Sequence, residues 1–246
     1  MTGKLVALTG PAGCGKDTLA RTLTGTIQRE YPAQLTSGSA VFRSVALWAY
    51  QQGHDPQQQL PEDVFSSVEL SLREEGVVEI IHDGRRTTYT PEQYTLPDVG
   101  MLGSDFAVHS AAVYKGFAIA AIRRQVTANS QTETHSVLGT RDSFRIAAEI
   151  PDVSSLSVYL AVTEETQRQR LRGRLAGKSD IDSLIEAELQ RDRQDIASGT
   201  LPCDDDRYPD LSGDVRSGIP YMLKNDSLTA QQATHALYTA FLKLGP

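Results

Sequence analysis

The chain has 246 residues, 39% of them hydrophobic and 22% charged, the balance of an ordinary globular protein long enough for one large domain or a domain with an insertion. A formal charge of −7, from 24 Lys plus Arg against 31 Asp plus Glu, argues against a general affinity for nucleic acid polymers or anionic lipid. Two cysteines, Cys14 and Cys203, are too few for a disulfide framework or a cysteine metal cage, and no stretch approaches the ~20 apolar residues of a membrane-spanning helix.

The opening MTGKLVALTG carries an apolar run far shorter than a secretory leader requires, so a cytoplasmic location is expected. Arginine outnumbers lysine 18 to 6. The guanidinium fork matches carboxylate and phosphate oxygens, so arginines that converge would favour a small anionic ligand over a polymer.

In chain order, Leu5 to Leu8 is continuously apolar, a glycine-rich stretch follows, and Leu19, Leu23 and Ile27 then recur at helical spacing. This is strand, loop and helix, and the unbroken apolar strand suits a parallel sheet covered on both faces. A second helix is expected from about Ala40 to Gln52, closing at Gly53. Val68, Leu70 and Leu72, then Val77, Glu79 and Ile81, alternate around Glu74, Glu75 and Gly76 and predict a β-hairpin. The hairpin is assigned to an insertion over about 35–127, with a helix whose stripe is Val113, Phe117 and Ala121.

Beyond the insertion, SVLGTRD and SLSVYLAV read as short strands. Thr163 is placed to cap a helix with Glu164 and Glu165 in its first turn and Arg172 and Arg174 at its end, charges that suit the helix dipole. A helix over about Ile181 to Ala197, a surface loop from Cys203 to Ser217, a strand GIPYML and a last helix follow. Ser227 is expected to cap that helix, with Ala233, Leu237 and Phe241 on its buried face.

Gly10, Pro11, Ala12, Gly13, Cys14, Gly15 and Lys16 fit GxxxxGK between a strand and a helix. Glycines let the backbone turn its N–H groups onto an anion, the helix N-terminus adds positive potential, and the lysine reaches the outer phosphates. The fold class is therefore α/β, a P-loop domain with a mostly parallel central sheet flanked by helices. Asp17 intervenes before the hydroxyl of Thr18, and this GKxT order is the one used by nucleoside monophosphate kinases. It implies ATP as donor and Mg²⁺ bridged by its phosphates, with Asp17 or Thr18 the residues nearest the ion.

Further segments resemble the cytidylate kinase family. The family's acceptor stretch, (S/T)GAxYRAxxxxALxxGxD, is similar to GSAVFRSVALWAYQQGHD from Gly38 to Asp55, which sets Arg43 on the family's substrate-phosphate arginine and Phe42 on its aromatic. The family's SG becomes GS here, so Ser37, Gly38 and Ser39 are all acceptor candidates. Its GRD element resembles Thr140 to Asp142, which implies acceptor contacts for Arg141 and Asp142. EERAxRR is similar to Glu164 to Arg170, with Arg170 on the last arginine, and RDxxD to Arg191 to Asp195, which implies roles for Arg191 and Asp195 with phosphate and with sugar or base. The next family arginine falls on Ser198, and none stands near Ala118, although Lys115 and Arg123 are close by.

The resemblance implies one nucleoside monophosphate kinase-like domain: a core of about 1–34, 128–166 and 198–246, an acceptor-binding insertion, and a lid of about 167–197. Phosphoryl transfer from ATP to CMP or dCMP would follow, with Lys16, Arg170 and Asp142 catalytic and small nucleotides as the only partners of a monomer. Two other readings stay open: a kinase for another small acceptor, such as a modified nucleotide or nucleoside, and a nucleotide-binding regulatory module that transfers nothing. For the remaining lid arginines, a salt-bridged helix surface is the competing account, since Arg168 stands four residues after Glu164. Phe42, Trp48 and Tyr50 read as core, the five histidines lack metal-ligand spacing, and nothing beyond its place in the loop gives Cys14 a redox role.

Overall fold

The computed structural model describes residues 2–73, 76–94, 97–202, 208–211 and 213–245. Chain order gives β1 (Leu5–Thr9), α1 (Lys16–Ile27), β2 (Ala33–Ser37), α2 (Gly38–Gln51), β3 (Val68–Leu72), β4 (Val78–His82), β5 (Arg85–Tyr89), α3 (Pro91–Tyr94), α4 (Pro97–His109), α5 (Ala111–Gln131), β6 (His135–Gly139), α6 (Ser143–Ala148), β7 (Ser155–Ala161), α7 (Glu164–Arg174), α8 (Ile181–Ala197), β8 (Pro220–Lys224) and α9 (Ala230–Lys243). The chain forms two compact units, Met1–Gln34 with Ser130–Pro246, and Leu35–Asn129.

The first unit is built on β6, β1, β7 and β8 of a five-stranded sheet of order β2-β6-β1-β7-β8, the boundary between the units falling inside β2. β1 pairs in parallel with β6 and β7, and β7 in parallel with β8. Every residue of β1, β6 and β7 is buried, which is why these segments are apolar without alternation. α6 packs on β1 and β7, while α1 packs on β6 and beside α9. Leu19, Leu23 and Ile27 of α1 and Ala233, Leu237 and Phe241 of α9 are the buried stripes, each large side chain worth roughly 1.5–3 kcal/mol of burial. The parallel strands bring their carboxyl ends to one edge of the sheet, where ligands bind in open α/β folds.

The cap of the last helix is Thr229, not Ser227. Thr229 accepts from the Gln232 N–H at 3.2 Å and its own N–H donates to Gln232 Oε1 at 2.9 Å, a reciprocal capping box. Counting three residues from Ser227 reaches Ala230, which cannot return such a bond. Of the loop expected from Cys203 to Ser217, residues 203–207 and 212 lie outside the described residues. Within the rest, Asp210 forms a parallel bridge with Met222 and Leu211 is buried.

In the second unit, β3, β4 and β5 form an antiparallel sheet in that order. The hairpin is present, with Glu74 and Glu75 outside the described residues, but its buried face differs from the expected one. Leu72 pairs with Val78 and Leu70 with Ile80, so Val78 and Ile80 are buried while Val77 and Ile81 are only half-buried. Cross-strand partners share a face, and the single-residue shift moves the apolar set accordingly.

On α5 the buried line runs through Tyr114, Ala118 and Ile122, with Ala121 beside it. Val113 and Phe117 flank that line half-buried, Phe117 stacked on Phe65 with centroids 4.4 Å apart. Trp48 is core, Phe42 is half-buried against Tyr114, and Tyr50 is 53% exposed, contrary to the core reading.

Candidate active site

β1 leads directly into the glycine-rich loop. Gly13 and Gly15 hold φ of +75° and +91°, a left-handed conformation that side chains disfavour. A Cβ at Gly13 would meet the Gln167 carbonyl oxygen at 3.2 Å. Gly15 caps α1 without a side chain, which leaves the first-turn N–H groups to an outside acceptor. Lys16 is half-buried and makes no ion pair among the described residues, while Asp17 and Thr18 are exposed on the same turn. Asp17 Oδ1 lies 3.8 Å from where a Cβ on Gly139, at the end of β6, would stand. N–H groups and an ammonium with no carboxylate partner among the described residues, beside a hydroxyl and a carboxylate, fit a Mg²⁺-nucleotide.

Cys14 is fully buried, and burial pushes its thiol pKa up, so it stays protonated and unreactive. Its carbonyl instead fastens the loop. It accepts from Asn225 Nδ2 at 2.8 Å and from Arg170 at 3.3 Å. Arg170 also donates to the Asn225 carbonyl at 2.6 Å, so its guanidinium spans the loop and the segment after β8. Thr163 caps α7 as expected, accepting from the Thr166 N–H, and it donates to Asp226 Oδ1.

The TRD turn sits at the end of β6. Ser143 Oγ donates to the Leu8 carbonyl at 2.8 Å, and Thr9 Oγ1 donates to the Arg141 carbonyl at 2.9 Å. These bonds tie the turn to the strand that carries the phosphate loop. Asp142 is 3.7 Å from Arg145. Together with Phe144, Ser198, Thr200 and Tyr208 it lines a cleft of about 310 Å³.

The side chain of Arg141 reaches α8. It meets Asp192 at 2.5 Å, Asp195 at 3.1 Å and Glu188 at 3.7 Å. Its Nε and Asp195 Oδ2 are held by charge without an aligned hydrogen bond. Asp192 is only 4% exposed. Its Oδ2 accepts from the Ala12 N–H of the loop at 2.8 Å and from the side-chain amide of Gln167 on α7, while Oδ1 takes Arg141. Arg191 lies exposed one residue earlier on α8.

The remaining arginines of these helices lie in exposed ion pairs: Arg168 with Glu164 and Glu186, Arg172 with Asp182, Arg174 with Glu188, and Arg193 with Glu164. Such pairs contribute ~1 kcal/mol or less each. Beneath them, Leu171, Ile185 and Leu189 pack against Ala12 of the loop, flanked by Leu175 and Ile181. The structure thus groups the phosphate loop, Arg141, Asp142, Arg170 and Asp195.

Ser37, Gly38, Ser39 and Arg43 form a second group at the start of α2. Ser37 Oγ accepts from the Ala40 N–H at 3.3 Å and lies 3.2 Å from Ser39 Oγ. Gly38 is buried, and Arg43 is half-buried on the second turn.

Sequence reasoning passed over Asp192, Gln167 and Asn225. Asp192 shares a helix face with Leu189 and Ile185, at spacings of three and seven, a signal that places it inward. Asn225 follows directly on β8, the carboxyl-end position that favours ligand sites.

A left-handed glycine cradle at the end of a central parallel strand, with Lys16 in it and Arg170 on its rim, defines a P-loop phosphotransferase. The family model for cytidylate kinase matches residues 6–202, and the chain belongs to that family. Among solved structures, the chain is similar to a gluconokinase from Sinorhizobium meliloti 1021, at 13% identity over 99% of this chain and 93% of that one, with a TM-score of 0.47. It is similar to a shikimate kinase from Acinetobacter baumannii in complex with shikimate, at 12% identity over 98% and 94% and a TM-score of 0.42. For a shikimate kinase from Bacteroides thetaiotaomicron the values are 14% identity, 98% and 99%, and 0.47. Comparison with curated proteins gives no match.

Proposed function

We propose that the protein transfers the γ-phosphoryl group of ATP to a pyrimidine nucleoside monophosphate, CMP or dCMP first, and works as a cytoplasmic monomer. The family match over residues 6–202 supports this acceptor class, and the junction of two motifs on the donor loop supports phosphoryl transfer over simple ATP binding. The TRD turn and the RDRQD helix, distant in sequence, meet through Arg141, Asp192 and Asp195, and Asp192 bonds the loop itself. A module that only held ATP has no need of that junction.

In this reading the loop N–H groups and Lys16 hold the donor's phosphates, with Asp17 and Thr18 beside the metal. Bound Mg²⁺ supplies charge neutralisation across the donor phosphates. Arg170 faces the transferring group, Arg191 takes the acceptor's phosphate, and Asp195 its sugar or base; the family resemblance is what supports a phosphate-binding role for Arg43. Asp142 orients the attacking phosphate oxygen. A bond forms from that oxygen to the γ-phosphorus, the bond to the β–γ bridging oxygen breaks, and ADP leaves with the electron pair. Helices α7 and α8, as a lid, exclude water during this step.

One observation favours a second reading, a kinase for a modified nucleotide or a nucleoside. Ser198 stands where the family has an arginine. It ends α8 with its Oγ donating to the Asp195 carbonyl at 3.1 Å and lines the cleft beside Asp142, leaving room that an arginine would fill.

The acceptor site is tested by Arg43→Ala. The variant is expected to raise the KM for CMP about tenfold or more, the scale of a lost charged hydrogen bond, with little change in ATP affinity. Loss of ATP affinity instead would move Arg43 to the donor side.

A further inference from the structure

We infer that Asp192 is a positioning residue that joins the donor loop to the acceptor side of the site through one buried carboxylate. Its two oxygens face different partners. Oδ2 holds the Ala12 N–H of the phosphate loop and the Gln167 amide of α7, and Oδ1 holds Arg141. Arg141 in turn stands against Asp195, on the next turn of α8. No substrate contact is required of Asp192. It fixes the loop's shape on one side and the direction of Arg141 on the other.

A buried carboxylate of this kind is costly unless every contact is made. Here they are made: a guanidinium balances the charge, and a backbone and a side-chain N–H fill the other oxygen. Leu189 and Ile185, on the same face of α8, press that part of the helix onto Ala12. The loop is therefore seated on α8 by apolar contact and registered by Asp192. The same helix carries Asp195 and Arg191, so a shift of α8 at the loop is felt at the acceptor residues. The acceptor half of this inference rests on the kinase reading above, and the donor half does not.

The division of labour between the two oxygens gives a separating experiment. In Asp192→Asn the retained oxygen stays with the Ala12 and Gln167 donors, because the reverse orientation would set the amide NH₂ against both. The NH₂ then faces the Arg141 guanidinium, donor against donor. Asp192→Ala removes both halves and leaves the Ala12 N–H without its partner.

Three quantities are measured for each variant: the dissociation constant of a fluorescent ATP analogue, the KM and kcat for CMP, and the melting temperature. Asp192→Ala is expected to weaken binding of the ATP analogue about tenfold or more. Asp192→Asn is expected to change it less than about threefold while raising the KM for CMP about tenfold or more. In an Arg141→Met background the effect of Asp192→Asn on the CMP KM should vanish, because the two act as a unit.

Lower melting temperatures with unchanged binding and KM in both single variants would overturn the inference, since that is all a structural carboxylate would do. Equal losses of ATP binding in the Asn and Ala variants would also overturn it. If the wild-type protein turns over no nucleoside monophosphate, the acceptor reading fails separately. ATP-analogue binding then decides the inference: wild-type affinity in Asp192→Ala contradicts it, and the expected split between the Ala and Asn variants supports it.

Discussion

Lys16→Ala is expected to lower turnover by about three orders of magnitude while the protein stays folded, the scale on which a single cation acts in phosphoryl transfer. The loop presents Lys16 half-buried and without an ion-pair partner among the described residues, so its removal strands no buried carboxylate. Its charge is left for the ligand. Coupled detection of ADP gives kcat, and a thermal melt checks the fold. A variant with wild-type turnover would remove the loop from the chemistry, whereas an unfolded one would show Lys16 to be structural.

The second large effect is expected at Arg170. Its guanidinium binds the carbonyls of Cys14, Asn225 and Asp226, which fixes it on the loop rim. Arg170→Ala should lower kcat about 100-fold or more. Lysine, a point charge without the planar fork, should restore only a small part. Arg172→Ala serves as the contrast, because Arg172 is engaged by Asp182 in an exposed pair. Its loss should leave kcat within about twofold and stability within ~1 kcal/mol. If Arg172→Ala matched Arg170→Ala in kcat, the transferring group would lie further along α7.

The sequence made the core of the first unit legible, for physical reasons that also marked its limits. β1, β6 and β7 are buried on both faces, so their composition is continuously apolar and points to a covered parallel sheet. The GxxxxGK spacing is equally plain, because Gly10, where a Cβ would stand 2.8 Å from the Leu160 carbonyl oxygen, and Gly15, with left-handed backbone, admit few other residues. β5 was missed because an exposed edge strand of Arg85, Arg86, Thr87 and Thr88 carries no apolar signal. Its only announcement is Asp83-Gly84, both with positive φ, the two-residue hairpin turn that favours such a pair.

The hairpin's face was misread because Val77, Val78, Ile80 and Ile81 offer two apolar alternations, and only pairing with β3 decides between them. α3 and α4 gave no clear helical stripe. The resemblance singles out Arg170 and Arg191 on α7 and α8, and i,i+4 spacing pairs Arg168 with Glu164, but neither says which partners Arg172, Arg174 and Arg193 take. Arg168, Arg172 and Arg174 turn to carboxylates of α8, whereas Arg170 is held on the phosphate loop. Asp192 escaped notice because a carboxylate among arginines looks solvated until the opposite helix face is known to be buried.

Phosphorylation of a pyrimidine nucleoside monophosphate by this cytidylate kinase-family protein is the proposed activity. The most direct measurement is ADP release from ATP and Mg²⁺ across CMP, dCMP, UMP, the purine monophosphates and the free nucleosides. Stimulation by CMP or dCMP above the rest is the predicted result. Stimulation by a purine monophosphate or a nucleoside alone would contradict the acceptor, and stimulation by none of them would contradict nucleotide kinase activity itself.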